Sequence, residues 1–408
     1  GRSELLLEKN WKFTREDNNE FIKPAFDDSK WQSVTVPHDW AIYGPFSSLN
    51  DKQEVAISQD GQKEAMEHAG RTGGLPFVGV GWYRTEFDVP QFQAGKRATI
   101  LFDGAMSHAN VYINGQKVGY WPYGYNSFHF DITKYLKPGE KNTLAVRLEN
   151  LPESSRWYPG AGLYRNVHLI ITEDAYIPVW GTYITTPSVN EKFAKVNVRT
   201  KVVLPEGADP AKYSVETSVW NPNKQKLTAV RTSLAQMKYN NNQAEQEFVI
   251  QAPSLWSPEM PALYSAETRL YEGDKLKDIY TTPFGIRSIE IIPDKGFFLN
   301  GKRTVFKGVC NHHDLGPLGA AVNDAAIRRQ IRILKDMGCN AIRTSHNMPA
   351  PELIRACDEM GMMIMAESFD EWNVAKCKNG YNLLFDEWAE KDLVNLLHNF
   401  RNNPSVVM

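Results

Sequence analysis

Cysteine is scarce in this chain. None precedes Cys310, and the four present (Cys310, Cys339, Cys357 and Cys377) all lie in the C-terminal part. Two or more of them fall inside apolar stretches. That usage excludes a disulfide framework and predicts buried free thiols. An excess of one charge sign is also missing. The chain has 46 Lys and Arg against 48 Asp and Glu, a net charge of −2. This balance leaves no electrostatic footprint for nucleic acid or an anionic membrane, so neither is expected as a partner. No apolar run comes near the roughly 20 residues that cross a bilayer. No signal-peptide pattern is visible, yet the chain opens on Gly1 rather than Met. A leader removed in maturation fits this opening. The periplasm or the exterior is therefore the expected location, with the cytoplasm as the alternative.

Length and aromatic surface are what the chain has in quantity. At 408 residues it exceeds what one hydrophobic core organises, so two or three domains are expected. Eleven Trp and seventeen Tyr supply flat faces that can stack on sugar rings, although most are expected in β-sandwich cores. Residues 1–173 read as an all-β domain. Alternating runs such as Trp82–Phe87 and Ala109–Ile113 are separated by turns, and Asn114-Gly115 is a strong hairpin signal. Residues 48–79 interrupt the pattern with a long polar stretch holding Asp60-Gly61 and the glycines between 70 and 74. A loop of that length is either functional or disordered. Residues 174–284 carry a second strand set suited to a small sandwich, read as a spacer with Trp220 and Trp256 as packing residues.

From 285 to 408 the period changes. Phe306–Val309 is a short apolar strand ending in Asn311-His312-His313-Asp314. Asn323 or Asp324 caps a helix with Ile327, Ile331, Leu334 and Met337 along one face, and Gly338 stops it. Ala341-Ile342 is the core of a second strand, which ends in Thr344-Ser345-His346-Asn347. Pro349 and Pro351 open the next helix and Gly361 closes it. Met362–Ala366 is a continuous apolar run, as in a strand buried on both faces, and leads to Glu367, Asp370, Glu371 and Trp372. A longer helix spans roughly Phe385–Phe400, and Ser405–Met408 begins a fourth strand. Polar clusters at successive strand ends mark the active face of a (β/α)₈ TIM barrel. Four strands cannot close that barrel, and Val406, Val407 and Met408 call for neighbours on both sides. The chain is therefore expected to be a fragment holding the first half of the barrel.

These segments carry a resemblance. FGIRSIEI (284–291), FFLNGKR (297–303), KGVCNHHD (307–314), DMGCNAIRTSHN (336–347) and FRNNPSVVM (400–408) resemble glycoside hydrolase family 2, the β-galactosidase and β-glucuronidase group, in order and spacing. Upstream, WYRTEF (82–87), HANVYINGQKVGY (108–120) and RWYPGAGLYRNV (156–167) are similar to the family's sugar-binding domain. The resemblance covers essentially the whole chain. It implies a jelly roll, an immunoglobulin-like sandwich and the first half of a TIM barrel. It also implies retaining exo-hydrolysis of terminal β-linked sugars, with a carbohydrate as partner; it leaves homo-oligomer formation open. RWYPGAG is most similar to β-galactosidase sequences, although Ser155 stands where those carry an Asp.

Retaining hydrolysis needs two carboxyl groups about 5 Å apart. The family's acid/base follows the segment similar to Asn403–Val406, and its nucleophile lies further on. Both are expected beyond Met408, which leaves this chain without catalytic residues and inactive alone. The resemblance gives His313 and His346 as hydrogen-bonding partners of sugar hydroxyls, a role an imidazole suits because one nitrogen donates while the other accepts. Zinc ligation by the adjacent His312 and His313 is disfavoured, because neighbours in an extended segment point to opposite faces. Glu367 is similar to a strand-end carboxylate usually preceded by Asp, here Ala366. Glu371 resembles a magnesium ligand, but Asn373 stands where the family has its companion His. No cofactor is required, and Mg²⁺ or Na⁺ at Glu371 is the only metal the resemblance raises. Asn347, Asp370 and Trp372 are expected to line the same pocket, and Asp39 to reach it from the first domain. Arg156 and Trp157 are expected to pack between domains. The alternatives are a β-glucuronidase or other family 2 β-glycosidase, or a non-catalytic carbohydrate-binding protein.

Overall fold

A computed structural model describes residues 1–56, 60–69, 75–89, 95–236 and 242–408. The alternating runs at the start of the chain become two antiparallel sheets. The four-stranded one runs Ser3–Leu6, Val167–Thr172, Arg97–Phe102, Phe128–Asp131. The six-stranded one runs Gln32–Val34, Trp11–Thr14, Gly79–Asp88, Lys141–Asn150, Ala109–Ile113, Gln116–Trp121. Their inner faces bury Trp11, Trp40, Ile100, Phe102, Val111, Phe128 and Val146 together. Asn114 and Gly115 both take positive φ (50° and 81°), the backbone that an Asn-Gly hairpin requires.

Within the long polar loop, Lys52–Val55 pairs antiparallel with Met66–Ala69. The hairpin is tied down at its base. Buried Asp51 accepts from the Glu153 amide at 2.9 Å, and the Gln53 amide donates to the Ser155 carbonyl at 2.6 Å. Residues 57–59 and the glycine-rich 70–74 lie outside the described residues.

The spacer is a sandwich of a three-stranded and a four-stranded antiparallel sheet. Its Trp256 is fully buried and donates to the Asp358 carbonyl of the barrel at 2.9 Å, so it packs between domains. A small antiparallel sheet (Ile289–Ile292, Gly296–Leu299, Lys302–Arg303) then leads into three parallel strands: Gly308–Asn311, Ala341–Thr344 and Met363–Met365. Between and after them lie α1 (Asp324–Asp336), α2 (Pro351–Met360) and α3 (Phe385–Phe400). Asn323 caps α1 by accepting from the Ala326 amide at 2.9 Å. Gly338 and Gly361 end α1 and α2 at φ +89° and +83°, where a Cβ would be strained. The Ile364 amide donates to the Ser405 carbonyl at 2.7 Å and that of Ala366 to the Met408 carbonyl at 2.8 Å, so the last residues lie beside the third strand in a single parallel bridge, Ile364 to Val406, where a fourth strand was expected. No helix among the described residues is long and apolar enough to cross a membrane.

None of the four cysteines is in a disulfide, but only Cys357 is buried. Cys310 is exposed, because its side of the first parallel strand faces the open interior, 4.0 Å from Arg343 Nη1. The expectation of two or more buried thiols is corrected to one. The first domain and the barrel share a core in which Tyr123, Tyr125, Trp157 and Tyr164 pack among Ile327, Ile342, Phe369 and Trp388. Arg165, 1 % exposed, donates across the same contact to the Met348 and Pro349 carbonyls at 2.9 and 3.4 Å.

Candidate active site

Parallel strands aim their C-terminal residues at one face, and here that face gathers imidazoles, carboxylates and one indole. His346 follows the second parallel strand. Its Nδ1 lies 2.9 Å from Glu367 Oε2, so Nδ1–H donates to the carboxylate and Nε2 is left as the acceptor nitrogen. The Arg343 guanidinium holds the other oxygen of Glu367. His312 follows the first strand, and its Nδ1 donates to the Ser345 carbonyl at 2.9 Å. That bond fixes the same tautomer, again with Nε2 as acceptor. The two rings stand 5.9 Å apart. Trp157, from the first domain, stacks on His312 at 5.1 Å and 10° and meets His346 edge-on at 5.8 Å.

The adjacent histidines are placed on opposite sides of their segment. His313 turns the opposite way, edge-on to Tyr125 at 4.9 Å and Tyr164 at 5.8 Å. Its Nε2–H donates to the Pro159 carbonyl at 2.8 Å. Burial, with the Arg165 charge adding to it, lowers its pKa to about 3 and keeps the ring neutral. His313 is thus part of the domain contact, and His312 is the residue that sequence reasoning passed over. The alternation of an extended segment showed that the two oppose each other. It did not show which one meets Trp157, because that ring arrives from another domain.

Asp39 is likewise placed in the domain contact. It is 1 % exposed and all four acceptor positions are taken. The amides of Ala41, Ala161 and Ala320 donate at 2.9, 3.0 and 2.9 Å, and the Tyr158 hydroxyl at 2.5 Å. It fastens two loops of the first domain to the barrel and has no oxygen left for a sugar. Asn347, 2 % exposed, also turns inward, beside His313 and Arg165 on a cavity of about 40 Å³.

Asp370 does lie toward the mouth, but it is paired. Arg156 Nε donates to it at 2.9 Å, and Lys376 Nζ donates to its carbonyl at 2.7 Å. Burial raises its pKa, and the Arg156 hydrogen bond and charge outweigh that, so the net shift is downward. The packing expected of Arg156 and Trp157 is therefore present, and Trp157 also forms part of the candidate pocket. Trp372 is half exposed and stands edge-on to Phe369 at 5.6 Å.

Glu371 is 4 % exposed and faces its own loop. It accepts from the Cys377 and Asn382 amides at 3.4 and 3.2 Å. Burial raises its pKa, and these amides oppose the rise. Gly380 packs so tightly on it that a Cβ there would come within 1.7 Å of Oε1. Such a carboxylate does not fit a magnesium ligand. Among the described residues, no group of three or more His, Cys, Asp and Glu is placed to hold a metal ion.

Comparisons with known proteins agree with this architecture. Three sequence models match in succession: the sugar binding domain of glycosyl hydrolases family 2 over residues 6–173, Glycosyl hydrolases family 2 over 176–287, and its TIM barrel domain over 290–408. A β-galactosidase of Bacteroides ovatus, BoGH2A, is 42 % identical over 98 % of this chain and 45 % of its own length. A β-glucuronidase of Bacteroides fragilis is 29 % identical over 99 % of this chain and 55 % of its own. A crystal structure of a family 2 member from Bacteroides cellulosilyticus superposes with a TM-score of 0.89 at 34 % identity, covering 99 % of this chain and 50 % of that one. The chain spans about half the length of the curated relatives it matches. With all three models matching in order along almost its entire length, this chain belongs to glycosyl hydrolase family 2.

Proposed function

We propose that the chain is the sugar-orienting part of a retaining exo-β-glycosidase acting on terminal β-galactosides. The observation that carries this is the pair His312 and His346. Each has its Nδ1–H committed, each keeps Nε2 as an acceptor, and Trp157 walls them. Two acceptors of fixed tautomer beside an indole suit the hydroxyls and the apolar face of one sugar ring. A neutral sugar is favoured because the nearby cations are committed: Arg343 to Glu367, and Arg156 and Lys376 to Asp370. A glucuronide would need a free cation for its carboxylate. Similarity to the Bacteroides ovatus β-galactosidase points the same way.

The carboxylates at this face are also committed, Glu367 to Arg343 and His346, Asp370 to Arg156, and Glu371 to its loop. The acid/base and the nucleophile are therefore assigned to residues outside these 408, so the chain binds sugar without cleaving it. Tryptophan fluorescence titration with a thio-β-galactoside and a thio-β-glucuronide tests this. The galactoside should quench at lower concentration, Trp157→Phe should remove the change, and nitrophenyl β-galactoside should stay intact. Tighter binding of the glucuronide would overturn the sugar assignment. Turnover by the purified chain would overturn the division of labour.

A further inference from the structure

Trp157 walls the candidate pocket, yet no strand or helix carries it. It sits in the loop 152–158, between the strands Lys141–Asn150 and Val167–Thr172 of the first domain. That loop includes Glu153 at φ +54°, a left-handed backbone that a glutamate adopts only where its surroundings impose it. The barrel grips the loop on one side. Asn379 Nδ2 donates to the Pro152 carbonyl at 2.8 Å, the Asn379 amide donates to the Glu153 carbonyl at 2.9 Å, and Arg156 pairs with Asp370. The hairpin of Lys52–Val55 and Met66–Ala69 grips it on the other side. Asp51, 2 % exposed, accepts from the Glu153 amide at 2.9 Å, and Gln53 Nε2 donates to the Ser155 carbonyl at 2.6 Å. From Ser155 the constraint passes to Trp157. Ser155 Oγ accepts from the Trp157 amide at 3.3 Å and donates to the Trp157 carbonyl at 3.0 Å. A two-stranded ribbon is marginally stable by itself, and this one pairs with no third strand among the described residues. Such a ribbon adds little core, but here it delivers two hydrogen bonds to the loop that carries Trp157.

We propose that this hairpin is a strut for Trp157, with Asp51 and Gln53 as positioning residues of the sugar pocket. It acts on the pocket assigned above to Trp157, His312 and His346, and so rests on that reading. The Trp157 ring stacks on His312 at 5.1 Å and 10°, so a small tilt of the loop changes the apolar face offered to a sugar. The Ser155 carbonyl belongs to the peptide plane that leads into Arg156. Gln53 holds that plane against rotation. Arg156 then reaches Asp370, and Trp157 reaches His312, from consecutive positions. Asp51 fixes the start of the same loop. The described part of the long polar stretch thus shapes the mouth without touching the sugar.

Gln53→Met tests the strut, because methionine keeps the length of the side chain and loses the N–H. In the 408-residue chain the His312 ring lies against the indole face and feels its ring current; Trp157→Leu gives the reference without it. Gln53→Met should move the His312 ring proton signals toward their Trp157→Leu positions. It should also weaken thio-β-galactoside binding about tenfold, the loss of one hydrogen bond, and lower the Tm by no more than a few degrees. In the wild type, the Glu153 amide should exchange slowly for a loop position, a measurement that needs no variant to fold. His312 signals that stay at their wild-type positions in Gln53→Met, or a Glu153 amide that exchanges as fast as an open loop, would overturn the strut. His312 signals that move while thio-β-galactoside affinity holds would uphold the strut and overturn the sugar reading instead.

Discussion

Asp39 accepts from three backbone amides and one phenol, supplied by both the first domain and the barrel. Removing a buried acceptor strands all its donors, and each stranded donor costs about 1–3 kcal/mol. Asp39→Ala is therefore expected to destabilise the chain by about 4 kcal/mol or more, on the scale of the larger known single-residue effects. Denaturant unfolding checks this. Asp39→Asn keeps part of the acceptor set and should lie between the two. The same residue shows why side-chain roles were hard to read in advance. Asp39 in VPHDW is a polar residue in a loop, a common signature of function, yet its partners Ala161 and Ala320 lie far away in sequence. His312 and His313 differ in the same way, since one meets an indole and the other a carbonyl, both contributed by residues 157–159.

Among the elements, the loop between the third parallel strand and α3 decides how the mouth is built. Glu371 draws the Cys377 and Asn382 amides together, Asp370 reaches Arg156, and the Ser368 carbonyl accepts from the Tyr123 hydroxyl at 2.7 Å. Gly380 is needed here for space and not for backbone angle, because its φ of −79° suits any residue. Gly380→Ala should push the loop off Glu371 and shift Asp370 and Arg156. We expect sugar affinity to fall about tenfold, equivalent to about 1.4 kcal/mol, with the Tm lowered by only a few degrees. Fluorescence titration and a melt on one preparation separate the two effects; unchanged affinity would show that the loop does not shape the pocket. Element boundaries were legible because they are local. The Asn323 cap, the Gly338 and Gly361 stops and the apolar run 362–366 act within a few residues of themselves. The inward turn of Glu371 was not legible, because it depends on the return of the chain at Gly380.

At the scale of the whole molecule, the first domain is built into the barrel and not merely tethered to it. Trp157 and Arg156 complete the mouth, Tyr123, Tyr125 and Tyr164 share the barrel core, and Asp392 of α3 accepts from Trp121 and Asn126 at 2.9 and 2.8 Å. Sequence patterns identified the three strand and helix regions, but not this joint surface, which no periodic pattern encodes. The account rests on the claim that His312 and His346, with Trp157, hold one sugar ring. The most direct measurement is the NMR spectrum of the imidazole side chains during titration with a thio-β-galactoside. The nine histidines are few enough to assign by substitution. The account predicts that the His312 and His346 ring signals move together and saturate at one sugar concentration, while His313 and His168 stay in place. Sugar-dependent shifts at His313 without His312, or saturable binding that moves neither His312 nor His346, would contradict it.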